Sequence, residues 1–342
     1  MGKKLLLINT GGTFSSVPSE KGLAPGINLE EIMKTIGPIG DGHTFELKDY
    51  ASLDSANITP EDWVAIANLV AAAREDCDGV VIIHGTDSMS YTSSMLSFML
   101  QNIEMPVILT GSQLPLRAPL TDAIDNLRCA ITAGLSGMLR GVYTVFHQKL
   151  ILGCRTSKVR TISFNAFESV NYPLIGEFNA FGMQVLKEPL RRAAFQLSPE
   201  YSENIAVLKI FPGMHADIFR YLYDKGCEGV FVEAFGLGGV PFLHNNILEE
   251  IDRASSKGMS ILVGSQCRYE GSNLDVYETG LRVQESGGIP VFDMTQEATV
   301  TKLMWALGRS KEREDVRKTF FTNYVDEVTL PRLRWGESVF LP

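Results

Sequence analysis

Threonine and glycine stand together at three points of this 342-residue chain, each time directly after a run of apolar residues. The three segments are residues 10–13 (Thr-Gly-Gly-Thr), 84–87 (His-Gly-Thr-Asp) and 110–113 (Thr-Gly-Ser-Gln). An apolar run bounded by turn residues is typical of a buried strand in a parallel sheet, and such sheets bind ligands beyond the carboxyl ends of their strands. We therefore expect the three segments to meet at one sheet edge and to form an active site built on threonine.

Thr13 and Thr86 are the candidate catalytic hydroxyls of these segments. A threonine hydroxyl is a weak nucleophile unless a base removes its proton. Asp87 places a carboxylate beside Thr86, and a lysine reaching Thr86 would complete a relay analogous to Ser-His-Asp, with lysine as the base. Lys158 is the candidate lysine because it follows the last strand pair predicted for the first domain. Each residue taken alone also fits a simpler interpretation as a turn, a helix cap or a surface lysine.

Asp54 and Ser55 form a further polar pair, placed just before a predicted helix start. Together they could hold the charged amino and carboxylate ends of a small substrate. Ser112, with the amide of Gln113, offers another hydroxyl for binding. As isolated pairs, such residues are more often part of a turn.

An alternation of strands and helices must position these residues in the first half of the chain. Residues 3–8, 78–83 and 107–109 are predicted strands, and 142–146 with 150–154 form a predicted strand pair. Helices are predicted over 29–36 with Asn28 as cap, from 60 to about 76 with Thr59 as cap, over 92–101, and after residue 121. This alternation predicts an α/β domain over residues 1–188 with a mostly parallel, doubly wound sheet.

Residues 189–204, with prolines and mixed charges, are the predicted linker to a second domain. The alternation then resumes. Strands are predicted over 206–210, 230–233, 261–263 and 291–292, and helices near 216–224, 246–257 and 296–307. We therefore expect a smaller α/β domain over residues 205–342.

Composition and motifs exclude several classes of protein. A net charge of −9 argues against nucleic-acid binding, and no apolar run approaches the roughly 20 residues of a membrane span. The histidines lack metal-ligand spacing, and no glycine-rich phosphate or dinucleotide motif is present, so we expect neither a metal nor a cofactor. The five cysteines have no C-x-x-C pairing and the N-terminus has no signal-peptide pattern, which predicts a cytoplasmic protein with reduced thiols.

Taken together, the motifs resemble those of the bacterial-type L-asparaginases. Residues 10–14 (Thr-Gly-Gly-Thr-Phe) and 84–89 (His-Gly-Thr-Asp-Ser-Met) are similar to the two signatures of that family. The similarity to the cytoplasmic, type I branch lies in residues 54–55, 58–63, 97–100, 110–113 and 294–299. The motifs follow the family order over nearly the whole chain.

The resemblance implies a fold, an activity and an assembly. The fold would be the two-domain asparaginase-like α/β fold, with a larger N-terminal domain that carries the catalytic threonines. The activity would be cofactor-independent hydrolysis of L-asparagine to L-aspartate and ammonia, with any activity on glutamine left open. The assembly would be a homodimer or homotetramer with the site near a subunit contact.

The resemblance also implies roles for individual residues. Thr13 would be the nucleophile, and Thr86, Asp87 and Lys158 would form the second threonine group. Ser55 and Asp87 would hold the α-carboxylate and α-amino groups of the substrate. Backbone N–H groups near Gly85 and Thr86 would stabilise the oxyanion, a contribution of a few kcal/mol per donor.

Leu23 departs from the family pattern. The family usually carries a tyrosine next to the nucleophile, on the mobile loop that follows the first signature, and residues 19–25 place Leu23 there. Leucine neither donates nor accepts a proton. Another group must therefore activate Thr13, such as Lys158 through Thr86 and a water, or the activity is reduced. The glycines and proline of this loop still favour a lid that closes over substrate.

Two alternatives to an asparaginase stay open. One is the amide-hydrolysing subunit of a tRNA amidotransferase, which carries an extra domain before the first signature, whereas the signature here begins at residue 10. The other is a non-catalytic protein that senses a small amino acid on the same fold. The joint presence of Thr13, Thr86, Asp87 and Lys158 favours an enzyme.

Overall fold

The computed structural model describes residues 2–19, 22–39, 42–188 and 193–330. The chain divides into two compact units, Met1–Pro199 and Glu200–Pro342. The division falls inside the predicted linker, of which residues 189–192 lie outside the described residues. Other linker residues are ordered in the first unit, because Gln196–Leu197 pairs antiparallel with Leu100–Gln101.

The first unit contains most of the strands. They are β1 (Lys4–Gly11), β2 (Ser16–Ser19), β3 (Gly22–Pro25), β4 (Thr44–Leu53), β5 (Gly79–Ile83), β6 (Leu100–Gln101), β7 (Pro106–Thr110), β8 (Gly141–Phe146), β9 (Lys149–Leu152), β10 (Thr156–Lys158), β11 (Phe167–Ser169), β12 (Gly176–Asn179), β13 (Gly182–Val185) and β14 (Gln196–Leu197). Its helices are α1 (Leu29–Ile36), α2 (Pro60–Ala73), α3 (Met89–Met99) and α4 (Ala123–Leu135). Three 3-10 turns lie at Thr13–Ser15, Ser55–Asn57 and Gly153–Arg155.

One mixed sheet forms the centre of the first unit. Its strand order is β13-β12-β9-β8-β7-β5-β1-β4, with parallel pairing from β8 to β4 and antiparallel pairing from β13 to β8. The residues of β5 and β7 are all buried, as expected for central strands covered on both faces. This arrangement confirms the predicted mostly parallel α/β sheet.

The strand order creates a switch point between β1 and β5. These strands are neighbours, but the chain leaves β1 toward β4 on one side and leaves β5 toward β7 on the other. At such a point the loops diverge and leave a crevice beyond the carboxyl ends of the strands. The loops that carry Thr13 and Thr86 flank this crevice.

Two helix starts in the first unit follow from their capping residues. Asn28 accepts a hydrogen bond from the backbone N–H of Glu31 at 3.0 Å, and α1 spans the residues predicted for it. Thr59 precedes Pro60, and its backbone N–H donates to the Asp62 carboxylate at 2.8 Å. Both arrangements satisfy backbone groups that a helix terminus otherwise leaves unpaired.

The second unit is a smaller α/β structure. Its strands are β15 (Ile205–Lys209), β16 (Gly229–Ala234), β17 (Ser260–Ser265) and β18 (Ile289–Pro290), and its helices are α5 (Ile218–Asp224), α6 (Ile247–Ser256), α7 (Glu278–Glu285), α8 (Gln296–Arg309) and α9 (Arg313–Phe320). The strands pair in parallel in sequence order. Apolar residues of β16, β17 and α6 form much of its buried core. A smaller second α/β domain is therefore confirmed.

Some predicted element limits were wrong for physical reasons. The strand expected at 291–292 ends earlier, at Pro290, because Phe292 has a φ of 55°, which lies outside the extended region. The strand expected over 150–154 ends at Leu152, where a 3-10 turn begins. The structure adds β4, which the apolar runs did not indicate because most of its residues are partly or fully exposed.

Candidate active site

The crevice between β1 and β5 is narrow because Gly12 and Gly85 allow the backbones of their two loops to pack directly against each other. Gly12 has a φ of 79°, and a Cβ placed on it would lie 2.4 Å from the Cα of Gly85. A Cβ placed on Gly85 would lie 2.7 Å from the Oγ of Ser55. Side chains at these two positions would push the loops apart, so the glycines bring three loops into direct contact.

Lys158 joins the second threonine group. Its Nζ donates to Thr86 Oγ1 at 2.7 Å and to Asp87 Oδ1 at 2.6 Å. The side chain of Lys158 is 16% exposed and that of Asp87 is 69% exposed, so the ammonium is largely shielded while the carboxylate opens to solvent. Lys158 and the Thr86 that it contacts are separated by 72 residues in the sequence. The structure brings all three residues together as the sequence predicted.

Ser55 and Asp54 lie on the loop after β4, next to the second threonine group. Ser55 is buried, and its Oγ accepts a hydrogen bond from the backbone N–H of Asp87 at 3.2 Å. Because this oxygen is used as an acceptor, its own proton is available for a ligand. Asp54 accepts from the backbone N–H of Ala56 with one carboxylate oxygen, at 2.9 Å. Its side chain therefore both caps a 3-10 turn and lines the crevice.

These residues line a small polar cavity of about 220 Å³. The residues around it are Gly12, Thr13, Ser16, Leu53, Asp54, Ser55, Gly85, Thr86 and Asp87. Most of this lining is polar, from hydroxyl groups, carboxylates and backbone, and Leu53 adds an apolar side. A cavity of this size and polarity suits a small, charged metabolite.

Thr13 begins a 3-10 turn at the mouth of β1 and is half-buried. The turn is held by Ser16, whose Oγ donates to the carbonyl of Gly12 at 2.8 Å. Sequence reasoning missed Ser16, although a serine three residues after the candidate nucleophile could have suggested a turn contact. Among the described residues, no hydrogen bond is made by the Thr13 side chain. Its hydroxyl is thus free to meet a ligand in the cavity.

Leu23 lies in a hairpin formed by β2 and β3, where it pairs with Pro18. The side chain of Leu23 is outside the part of the chain that the structure describes. The backbone of this hairpin returns toward the 3-10 turn Thr13–Ser15, because the N–H groups of Gly26 and Ile27 both donate to the carbonyl of Ser15. The expected lid segment is therefore anchored next to Thr13.

Ser112 is not brought to the cavity. It is buried, and its Oγ donates to the carbonyl of Leu114 at 2.6 Å. Its predicted role in substrate binding has no support from this geometry, because its proton is used within its own loop. The neighbouring Gln113 instead holds another loop, since its Nε2 donates to the carbonyls of Thr161 and Ser163 at 3.1 Å.

His84 is fully buried behind the site and cross-links it to two helices. Its Nδ1 lies 2.7 Å from the carbonyl of Gly85, so Nδ1 carries the proton and Nε2 accepts from Thr92 Oγ1 at 3.0 Å. Thr92 in turn accepts from the indole N–H of Trp63 at 2.9 Å. Burial lowers the pKa of His84 to about 4, which keeps the ring neutral. The ring therefore bonds the backbone of its own loop.

Comparison with known proteins identifies the family. A family model described as Asparaginase, N-terminal, matches residues 4–191, and one described as Glutaminase/Asparaginase C-terminal domain matches residues 204–320. The chain belongs to the asparaginase family. The L-asparaginase of Thermococcus kodakarensis is 39% identical, with 95% of this chain and 99% of that protein aligned. The solved structure of the thermostable L-asparaginase from that organism superposes with a TM-score of 0.91, over 96% of this chain and all of the other.

Two further proteins are similar to this chain over most of its length. A glutamyl-tRNA(Gln) amidotransferase subunit from Pyrococcus abyssi is 35% identical, with 95% of this chain and 77% of that protein aligned. The crystal structure of L-asparaginase I from Vibrio cholerae is 29% identical with a TM-score of 0.85, over 96% of this chain and all of the other. Similarity over almost the whole of both units confirms the asparaginase-like fold.

Metal binding and membrane insertion find no support in the described part of the chain. Between residues 2 and 330, the described histidine, cysteine, aspartate and glutamate side chains nowhere form a group of three or more that could hold a metal ion. No helix within the same residues has the length and apolar character needed to cross a membrane.

Proposed function

We propose that this chain is an amidohydrolase that converts L-asparagine to L-aspartate and ammonia, with Thr13 as the nucleophile. The observation that carries the proposal is the contact of Lys158 with both Thr86 and Asp87 at the edge of the small cavity that Thr13 lines. A nucleophile, a second hydroxyl with a cation, and a carboxylate are the groups that amide hydrolysis needs. Similarity to L-asparaginases over both units supports the same activity.

The reaction proceeds in two steps that balance without a cofactor. Thr13 Oγ1 attacks the side-chain amide carbon, and its proton passes to the amide nitrogen, which leaves as ammonia. Water then attacks the acyl-threonine, releases L-aspartate and returns the proton to Thr13. Backbone N–H groups of Gly85 and Thr86 face no acceptor among the described residues, so they are available to stabilise the oxyanion of each step.

Charged residues around the cavity hold the α-groups of the substrate. The exposed Asp87 carboxylate and Asp54 attract the α-ammonium group, and Ser55 donates its free proton to the α-carboxylate. Asp87 is also paired with Lys158, so the carboxylate is fixed before substrate arrives. Pre-positioned charges cost little reorganisation when the ligand binds.

Lys158 and Thr86 supply proton transfer to Thr13 in place of the missing tyrosine. The Lys158 ammonium donates to Thr86 Oγ1, which leaves the Thr86 hydroxyl proton free to bond a water or the substrate. A water between Thr86 and Thr13 carries the Thr13 proton to Thr86 Oγ1 while the Thr86 hydroxyl proton passes to the leaving amide nitrogen, and Lys158 stays an ammonium throughout. This role follows from the identity of Leu23, which has no proton to exchange.

We further propose a cytoplasmic homodimer or homotetramer with the site near a subunit contact. Exposed apolar side chains in the loops beyond the sheet edge support such a contact, with Leu120 78% exposed and Ile162 88% exposed. None of the five cysteines, all of them among the described residues, forms a disulfide, which suits a reducing compartment. Sedimentation analysis tests the assembly, and a monomer at micromolar concentration would contradict it.

Substitution Thr13→Ala tests the nucleophile. We expect ammonia release from L-asparagine to be abolished while L-aspartate still binds, because Thr13 reacts but the α-group contacts remain. Thr132→Ala is the matched control, because Thr132 lies on α4 and its hydroxyl only bonds the carbonyl of Arg128. Measurable turnover by the Thr13→Ala variant would show that another group is the nucleophile.

The same assay separates the alternatives. Ammonia release by the purified chain from L-asparagine, L-glutamine and D-asparagine is compared. Release from glutamine alone, and only with a partner protein and tRNA, would favour an amidotransferase component like the relative from Pyrococcus abyssi. Binding of an amino acid without any release would favour a sensor.

A further inference from the structure

We propose that helix α3 is the element that fixes the Lys158 ammonium against Thr86 and Asp87, with Ser93 as the positioning residue. The inference rests on the proposed function, because it concerns the group that assists Thr13. It goes beyond the site residues themselves, since Ser93 lies outside the residues that line the cavity. The Lys158 contact has two ends, the Thr86 and Asp87 side chains on one side and the strand that carries Lys158 on the other. Both ends depend on α3.

The first end of the contact is set by the N-terminus of α3. Thr86 and Asp87 lie just before the N-cap residue Ser88 of the helix, which begins at Met89. Between them and the helix, Ser88 donates its Oγ proton to the carbonyl of Ser55 at 2.5 Å, which ties the helix start to the loop after β4. The position of the hydroxyl and carboxylate therefore depends on where α3 begins.

The second end of the contact is set by the middle of α3. Lys158 ends β10, and β10 directly follows the buried 3-10 turn Gly153–Arg155. The Oγ of Ser93 lies 2.9 Å from the carbonyl oxygen of Gly153 and 3.1 Å from that of Ser90, so its single proton is shared between them, with Gly153 the nearer acceptor. This side-chain hydrogen bond joins α3 to the turn from which the lysine strand departs.

Close backbone packing accompanies that hydrogen bond. A Cβ placed on Gly153 would lie 2.9 Å from Ser97 Oγ and 3.0 Å from the carbonyl oxygen of Ser93. Gly153 does not have a φ in the left-handed region, so its backbone conformation does not require glycine. Glycine is needed there because a larger side chain would not fit. The turn thus lies directly on the surface of α3, with only enough room for hydrogen at this position.

The two ends make α3 a rigid spacer. An α-helix rises 1.5 Å per residue, so Ser93 lies about 6 Å along the axis from Met89. Movement of the turn against the helix would shift the Lys158 Nζ relative to Thr86 and Asp87. Catalytic groups displaced by about 1 Å commonly lose about 100-fold in rate.

The same helix supplies a matched control. Ser94 is fully buried like Ser93, but among the described residues its Oγ has no hydrogen-bond partner. Removing that hydroxyl deletes a buried polar atom from α3 without breaking a hydrogen bond among the described residues. Any general effect of a serine-to-alanine change inside this helix therefore appears in Ser94→Ala.

Kinetics of Ser93→Ala and Ser94→Ala test the inference. We expect Ser93→Ala to lower kcat for L-asparagine at least ~10-fold with KM changed less than about 3-fold, since Ser55 and Asp87 still hold the substrate. Ser94→Ala should keep both constants. Gly153→Ala displaces the same contact from the turn side and should give the same fall in kcat. The folded fraction of each sample is measured by thermal unfolding, so that loss of folded protein is not mistaken for loss of turnover.

A crystal structure of Ser93→Ala gives a second readout that does not need activity. We expect the Lys158 Nζ to lie beyond about 3.5 Å from Thr86 Oγ1, which is too far for a hydrogen bond. Unchanged kcat together with an unchanged distance would overturn the inference. An inactive wild-type chain would instead count against the proposed function, and the distance alone would then decide the role of Ser93.

Discussion

Lys158 is the side chain on which the second threonine group depends, because its ammonium contacts both Thr86 and Asp87. We expect Lys158→Met to lower kcat by about 100- to 10,000-fold, the usual contribution of a positioned proton-transfer group. Methionine is one atom shorter than lysine and keeps an unbranched apolar stem, but it lacks the charge. Steady-state ammonia release measures the loss.

Lys149 provides the control for that substitution. It is also a partly buried lysine of the first unit, and its Nζ donates to Asn165 Oδ1 at 2.7 Å. Lys149→Met should leave kcat within about 2-fold of wild type, because this contact lies outside the cavity. Equal activity of the two methionine variants would refute the role given to Lys158.

His84 makes stability depend on pH. Its pKa is about 4 in the folded chain and about 6.5 when exposed, because burial disfavours the charged ring. Between these values the unfolded chain binds a proton that the folded chain does not, so stability is full above pH 6.5 and is lost as pH falls toward 4. The loss attributable to this residue is about 3 kcal/mol over that window.

Urea unfolding at several values between pH 7 and pH 4.5 measures this dependence. The free energy of unfolding should fall with pH in the wild type and fall less in His84→Gln, because glutamine cannot gain the proton. A His84→Gln variant with the wild-type pH slope would show that other groups cause the dependence.

The sequence was a better guide to which side chains could take part in chemistry than to which groups those side chains contact. Thr86 and Asp87 were identifiable because they follow a buried apolar run, but Lys158 is far along the chain and emerged only from its place after a strand pair. Ser112 shows the limit, because its type and spacing suit a binding residue while its proton is used by Leu114. Residue type alone does not determine which neighbouring carbonyl a serine hydroxyl in a loop will bond.

Helix α2 is the element whose start was best determined by sequence, and its cap can be tested. Thr59 donates to the Asp62 carboxylate through its backbone N–H at 2.8 Å and its hydroxyl at 3.0 Å. We expect Thr59→Ala to lower the free energy of unfolding by about 1 kcal/mol, a usual value for loss of an N-cap side chain. Its kcat should not change, since α2 contributes no residue to the cavity lining.

Thr35 is the matched control for the cap. Its hydroxyl bonds the carbonyl of Glu31 inside α1 and caps no helix terminus. Thr35→Ala should stay within about 0.5 kcal/mol of wild type. Chemical denaturation of the two variants decides the point, and equal stability of both would contradict the capping role.

Helices and strands were predictable where the sequence carries a capping residue or a pattern of buried apolar residues, and were missed where it carries neither. The α1 limits follow from Asn28 and from apolar spacing within the helix. Strand β4 was missed because it is an edge strand with mostly exposed side chains, so burial does not mark it in the sequence. The strand expected at 291–292 failed because the positive φ of Phe292 depends on tertiary context.

The stability of the molecule as a whole depends on a fully buried ion pair in the second unit. The Nζ of Lys302 on α8 donates to Glu327 at 2.5 Å and to the carbonyl of Thr322 at 2.8 Å. Burial alone would raise the pKa of Glu327, but Lys302 and backbone N–H groups lower it, so the carboxylate is charged. We expect Glu327→Gln to destabilise the chain by about 3 to 5 kcal/mol because it removes the carboxylate charge that pairs with the buried Lys302 ammonium.

Glu278→Gln is the control for that ion pair. Glu278 pairs with Arg282 on the surface of α7, where its side chain is 77% exposed. Exposed pairs contribute about 1 kcal/mol or less, so this variant should unfold almost as the wild type does. Calorimetry compares the transitions, and a Glu327→Gln variant as stable as Glu278→Gln would contradict the prediction.

The architecture of the whole chain was largely predictable from the alternation of strands and helices. That alternation indicated two α/β domains, and the observed division at Pro199 lies within the segment predicted to link them. Assembly into oligomers is different, because it depends on surfaces that no periodic pattern reports. Exposed residues such as Ile162 became visible only in the folded chain.

The contact between Gly12 and Gly85 also limits which substitutions the three loops of this site can accept. Neither position accepts a Cβ, and Ser55 closes the third side of the same contact. A change that suits one loop must therefore be matched in the other two. Anyone transplanting this catalytic centre onto another scaffold would have to move the three loops as one block.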